Sequence, residues 1–171
     1  MEQVREQTQM LAAMLVEREL KIAAAESCTG GLVAASLTDI PGSSMYFTLG
    51  VVTYSLEQKK RILMVPPEVL EQYGTVSEEV CRSMLKGIRR LSHADVCVAV
   101  TGYAGPGGGT QDKPVGTVYI GVSYHSRIDV RMFRFGGSRQ QVRKQAVKTC
   151  LDMVIGLLTS VDFGPGEVGL G

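Results

Sequence analysis

Histidine is nearly missing from this chain: of its 171 residues only His93 and His125 are histidine. One falls near a helix end and the other in a turn, and both read as surface positions. Neither lies near a serine in a recognisable elbow. A Ser-His-Asp triad therefore finds no support, and metal sites of the His/Cys/carboxylate type find no clustered ligands. The four cysteines, Cys28, Cys81, Cys97 and Cys150, are spaced too widely for a zinc or redox motif. Three of them fall on apolar faces of expected elements, so buried free thiols in a reducing compartment are expected rather than disulfides. An excess of charge of one sign is also absent. Eighteen basic and seventeen acidic side chains leave a formal charge of +1, which gives no footing for a nucleic-acid surface or an electrostatic membrane anchor. Long apolar runs are lacking too. Glu2, Arg5, Glu17, Arg18 and Glu19 charge the first twenty residues, so neither a signal peptide nor a membrane span is expected, and the expected location is cytoplasmic. No internal repeat is visible.

What is present suits one self-sufficient domain, expected over residues 1–160, with a flexible glycine-rich tail at 161–171. The hydrophobic fraction of 44% is that of a folded core. Val4, Leu11, Met14 and Leu15, with Met10, recur at helical spacing and predict an opening helix to about Glu19. Lys21 to Glu26 reads as a short buried strand that stops at Ser27-Cys28-Thr29-Gly30-Gly31, and the helical stretch LVAASLT follows. A second strand is expected from about Thr48 to Tyr54, and a short helix on either side of Pro66-Pro67. Ser77 is placed to cap a helix whose first turn carries Glu78 and Glu79 and whose apolar face is Val80, Met84, Leu85, Ile88 and Leu91. Val96 to Thr101 is an almost unbroken apolar strand, followed by the glycine-rich loop Gly102 to Gly116. Val118-Ile120-Val122 and Val130 to Phe135 predict an antiparallel hairpin about His125-Ser126-Arg127. The last helix opens at Ser138 with Gln141 three residues on, a capping box, and its seam runs through Val142, Ala146, Thr149, Cys150, Met153 and Leu157. This order predicts an α/β fold: a three-layer α/β/α sandwich around a mixed, mostly parallel sheet of about five strands.

Three segments carry polar and glycine residues where packing alone would not ask for them. Glu26-Ser27-Cys28-Thr29-Gly30-Gly31 joins a buried strand to a helix, which presents a side chain at the carboxyl edge of the sheet. The following helix start offers backbone N–H groups suited to an oxyanion, although the same residues also suit a plain N-cap with a tight turn. Tyr54-Ser55-Leu56-Glu57-Gln58-Lys59-Lys60 closes the second strand. A lysine there is ordinarily a solvated charge, but a desolvated one can act as a general base. Thr101-Gly102-Tyr103-Ala104-Gly105-Pro106 opens a loop whose glycines allow a ligand close to the backbone, without Walker A or dinucleotide spacing. If a serine is the nucleophile here, lysine is the base available to it.

The strings AESCTGGLVAASLTDIPGSS, GVVTYSLEQK, YGTVSEEV and AVTGYAGPGGGTQDKPVGTVYIGV, in that order, resemble the CinA carboxy-terminal domain family. That domain also occurs alone as nicotinamide-nucleotide amidohydrolase. The resemblance runs from the opening helix to about Leu158. It implies hydrolysis of nicotinamide mononucleotide to nicotinate mononucleotide and ammonia, with no metal and no cofactor. It implies Ser27 as nucleophile, Lys59 as its assistant and Tyr54 beside them. It also implies Thr101 near the substrate, and an arginine early in the last helix for which Arg139 and Arg143 both qualify. Backbone around Thr29, Gly30 and Gly31 would steady the oxyanion, and the loop about Gly102 and Gly105 would help hold the phosphate. Two departures stand out: Leu56 where the family commonly has asparagine, and Ser138 where it favours aspartate. The family tends to homo-oligomers, which is the partner expected here along with the small nucleotide. Two rival readings remain: Cys28 as nucleophile, and a nucleotide-binding regulatory module without turnover.

Overall fold

The computed structural model describes residues 2–162. Helix α1 (Glu2–Glu17) leads into strand β1 (Ile22–Glu26) and helix α2 (Leu32–Thr38), and a single 3-10 turn precedes strand β2 (Phe47–Val52). Three helices follow, α3 (Leu56–Arg61), α4 (Pro67–Tyr73) and α5 (Glu78–Ser92), and then strands β3 (Val96–Gly102), β4 (Thr117–Tyr124) and β5 (Arg127–Arg134). Helix α6 (Arg139–Asp162) is last. It takes in residues 161 and 162 of the expected tail, whose remainder from 163 lies outside the described residues.

The strands form one sheet in the order β2-β1-β3-β4-β5. β1 is parallel to β2 and β3, while β4 is antiparallel to both β3 and β5. Four strands therefore run one way and β4 runs against them. Side chains alternate across the sheet as strand geometry requires. Ile22, Ala24, Val96, Val98 and Val100 face the core shared with α1, α2 and α6. Ala23, Ala25, Cys97 and Ala99 face the second core, under α4 and α5. Burial on both faces explains why β1 and β3 read as continuous apolar runs. The expected three-layer α/β/α sandwich is the fold observed.

Local signals match their elements. Ser77 Oγ accepts from the Val80 N–H at 3.2 Å, with Glu78 and Glu79 in the positive first turn of α5 and Arg89 and Arg90 in its last. Ser138 and Gln141 exchange the two bonds of a capping box: Ser138 N–H to Gln141 Oε1 at 2.7 Å, and Gln141 N–H to Ser138 Oγ at 3.3 Å. Three details differ from expectation. β2 ends at Val52, so Tyr54 sits beyond it in a connection and Lys59 rides on α3. Leu91 is exposed rather than part of the α5 seam, because the core under α5 closes at Ile88. In α6 the buried line passes through Leu151, Val154 and Leu158, while Thr149 and Leu157 are only half-buried.

Close approach fixes how α3 is hung on this frame. A Cβ at Gly87 of α5 would lie 2.4 Å from the Leu63 carbonyl oxygen, so the segment after α3 passes directly over the helix backbone there. Leu63 and Val65 are buried in that contact, and the Val65 N–H bonds the Lys59 carbonyl at 3.1 Å.

Candidate active site

Because β1, β2 and β3 are parallel, their carboxyl ends meet at one rim, where open α/β sheets place ligands. Ser27 follows β1 there, Thr53 and Tyr54 follow β2, and Thr101 and Gly102 end β3. A cavity of about 190 Å³ opens between them, lined among others by Ser27, Tyr54, Lys59, Thr101, Gly105 and Arg139. Small-molecule sites commonly measure ~300–1,000 Å³, so this one is smaller than most.

Lys59 is the only basic residue of the last turn of α3 that is buried; it is 1% exposed. Its Nζ lies 2.9 Å from Ser27 Oγ, 2.7 Å from the Thr53 carbonyl oxygen and 3.3 Å from that of Tyr54. Burial without a carboxylate partner disfavours the ammonium and lowers the Lys59 pKa to about 8. A neutral amine has two N–H donors and one lone pair. With the two carbonyls taking the donors, the lone pair is left for the Ser27 hydroxyl.

The turn that presents Ser27 is held by its own backbone. The Gly30 N–H donates to the Ser27 carbonyl at 3.0 Å, and Gly30 sits at φ +60°, a conformation glycine adopts without a Cβ penalty. The Glu26 carboxylate accepts from the N–H groups of Gly31, Val33 and Ala34 at 2.9–3.1 Å. The expectation that the start of α2 offers open amides is therefore corrected. Gly30 and Gly31 already spend theirs inside the turn.

The two arginines are separated by geometry. Arg139 lines the cavity and donates to the Gly105 carbonyl at 2.8 Å and to Tyr54 Oη at 2.9 Å. Arg143 lies outside the cavity lining and donates to the carbonyls of Cys28 and Thr29, each at 3.1 Å. Tyr54 meets Lys59 through its main chain, and its ring stands at the mouth, 58% exposed. Thr101 is buried and gives its hydroxyl proton to the Thr75 carbonyl at 2.8 Å, so its oxygen faces the cavity as an acceptor. Cys28 also reaches the cavity, but burial pushes its thiol up to about 11 even with Lys59 and Arg143 nearby, and it stays protonated at neutral pH. Leu56 is exposed at the start of α3, and none of the Lys59 Nζ bonds involves it. His93 and His125 are exposed, and all four cysteines are buried and free.

Sequence reasoning did not find Glu26 in its capping role, the Thr53 carbonyl, or Thr75 and Tyr103 on the cavity wall. A carboxylate ending an apolar strand was a readable signal for Glu26. A carbonyl acceptor leaves no mark in a sequence. Among the described residues no group of three or more His, Cys, Asp or Glu is arranged to hold a metal ion, and no helix is long and apolar enough to cross a membrane.

Residues 4–158 match the CinA C-terminal domain. A CinA-like protein of Endomicrobium trichonymphae is 48% identical over 141 residues, covering 82% of this chain and 33% of its own length. The chain spans about a third of the length of the curated relatives it matches. In the solved structure of the competence/damage inducible protein CihA from Agrobacterium tumefaciens the likeness reaches a TM-score of 0.89 at 38% identity, over 91% of this chain and 95% of that one. A CinA superfamily protein of Klebsiella pneumoniae gives 0.89 at 36%, over 92% and 98%.

Proposed function

The chain belongs to the CinA C-terminal domain family, and from that premise we propose that it is a serine–lysine amidohydrolase of the cytoplasm that hydrolyses nicotinamide mononucleotide to nicotinate mononucleotide and ammonia. One observation carries the reading: a buried lysine amine 2.9 Å from a serine hydroxyl at the sheet rim. Neutral Lys59 takes the Ser27 proton as Oγ bonds the carboxamide carbon. The carbonyl oxygen becomes an oxyanion at the backbone of the Ser27 turn, where loss of one donor costs enzymes of this type ~100- to 1,000-fold in turnover. When the C–N bond breaks, the Lys59 ammonium returns its proton to the departing nitrogen, which leaves as ammonia. Water then attacks the acyl-enzyme, giving its proton to the same amine, and Ser27 is released with the carboxylic acid product.

The cavity admits the carboxamide and its ring, while the ribose phosphate lies across the mouth. Arg139 is the cation there, next to the glycine loop, and a guanidinium suits a phosphate by its paired donors. The protonated state of the Cys28 thiol favours Ser27 over its neighbour as nucleophile. The working form is proposed to be a homo-oligomer joined along β2, an edge strand inside a stretch from Ile40 to Leu56 without one charged residue.

Chromatography of the nucleotide after incubation tests the reaction: nicotinate mononucleotide should appear with one ammonia each, and added hydroxylamine should divert acyl-enzyme to the hydroxamate. Ligand-induced thermal stabilisation with no product would replace the enzyme reading with that of a binding module.

A further inference from the structure

The turn that carries Ser27 is gripped by two charged side chains that the proposed steps leave unused. Glu26, the last residue of β1, is 1% exposed, and its carboxylate reaches past the turn to the N–H groups of Gly31 (3.1 Å), Val33 (3.0 Å) and Ala34 (2.9 Å). Arg143 comes from α6, donating through Nε to the Cys28 carbonyl and through Nη2 to that of Thr29. The grip is close: a Cβ at Gly30 would sit 3.0 Å from Arg143 Nη2. We propose that Glu26 and Arg143 are positioning residues, a clamp that fixes the Ser27 turn so that Oγ meets Lys59 and the Thr29 N–H serves the oxyanion.

Capping alone does not explain this outlay. A serine or aspartate cap satisfies one or two amides of a helix start, and α2 is only seven residues long. A buried carboxylate is costly unless several donors meet it, and here three do. They tie the residues after the turn to the strand before it, so the turn is closed into a rigid ring. Arg143 fixes what Glu26 leaves free. In a planar trans peptide the N–H points opposite to the C=O. A guanidinium on the Cys28 carbonyl therefore holds the Thr29 N–H on the other side of the turn, away from α6. Arg143 is absent from the cavity wall that Arg139 lines, which separates a positioning arginine from a ligand-facing one.

This inference rests on Ser27 as the nucleophile, and its test does not depend on which amide is the substrate. A fluorophosphonate reads the hydroxyl directly: the Ser27 Oγ–P bond forms, the P–F bond breaks, fluoride leaves, and the hydroxyl proton passes to Lys59. Labelling rates are followed by intact mass, with Ser27→Ala as the blank. Glu26→Gln keeps the size but loses acceptors, and Arg143→Gln loses the two-pronged grip. Each should slow labelling by about 10- to 100-fold, the scale of a small misplacement of a reacting group. Leu151→Ala, a buried change on α6 away from the turn, should lower Tm and leave the labelling rate near wild type. If either glutamine variant fails to fold, Glu26→Asp and Arg143→Lys decide in its place and should show smaller slowdowns. Wild-type labelling rates in folded variants would overturn the clamp while leaving the nucleophile intact. A wild type that does not label at all would remove the nucleophile and the clamp together. Labelling without ammonia release would fault only the proposed substrate.

Discussion

Lys59 spends every hydrogen-bonding position it has inside the protein, on Ser27 and two main-chain carbonyls. A base held this way works only when uncharged. With its pKa lowered to about 8, kcat/KM should rise with pH through about 8 and then level, and steady-state rates from pH 6 to 10 would show it. A flat profile across that range would contradict the assignment. Stability carries the same signature with a definite sign. Between about 8 and the ordinary lysine value the unfolded chain binds a proton that the folded one does not, so this residue makes stability rise with pH there. The gap corresponds to about 3 kcal/mol. The difference in unfolding free energy between wild type and Lys59→Met, measured by urea titration at pH 7 and pH 10, should shift toward wild type by that order. At this scale Ser27 and Lys59 could be read as candidates, because a serine between a buried strand and a glycine pair, in a chain without useful histidine, has few other bases. The Glu26 cap and the division of labour between Arg139 and Arg143 could not, since both depend on which way side chains cross the rim.

Elements were legible wherever burial left a period or a cap. LVAASLT became α2 residue for residue, and the Ser77 and Ser138 caps are as their spacing implies. The placement of Lys59 was harder to read, because a run of Lys59, Lys60 and Arg61 looks solvated throughout. What turns one of the three inward is the contact between the segment after α3 and the backbone of α5 at Gly87. Gly87→Ala tests that support. Its Cβ cannot fit 2.4 Å from the Leu63 carbonyl oxygen, so the segment must move, at a cost of about 1–3 kcal/mol. Thermal melts should show the loss of stability, and turnover should fall with it as α3 shifts. Retention of both would mean that α3 is not held there.

Across the whole molecule the two sheet edges differ in chemistry. β5 carries Arg127, Asp129, Arg131 and Arg134, charges that keep an edge from pairing with another. β2 carries none, and Met45, Val52, Tyr54 and Leu56 are exposed on and beside it. Val52→Lys should therefore reduce the mass seen by sedimentation to that of a single chain, whereas Met132→Lys on β5 should leave it unchanged. An unaltered mass for Val52→Lys would move the interface elsewhere. The α/β/α architecture was open to sequence reasoning, because strands covered on both faces read as apolar runs separated by amphipathic helices. The fate of the edges was not, since edge and centre differ only through the order of strands. The fold brings one hydroxyl and one desolvated amine together at the sheet rim, and the proposed reaction runs on that pair. Ammonia release from nicotinamide mononucleotide by Ser27→Ala and Cys28→Ala, measured side by side, tests it most directly. Ser27→Ala should lose about 1,000-fold or more, with Cys28→Ala near wild type; full activity in Ser27→Ala, or its loss only in Cys28→Ala, would contradict it.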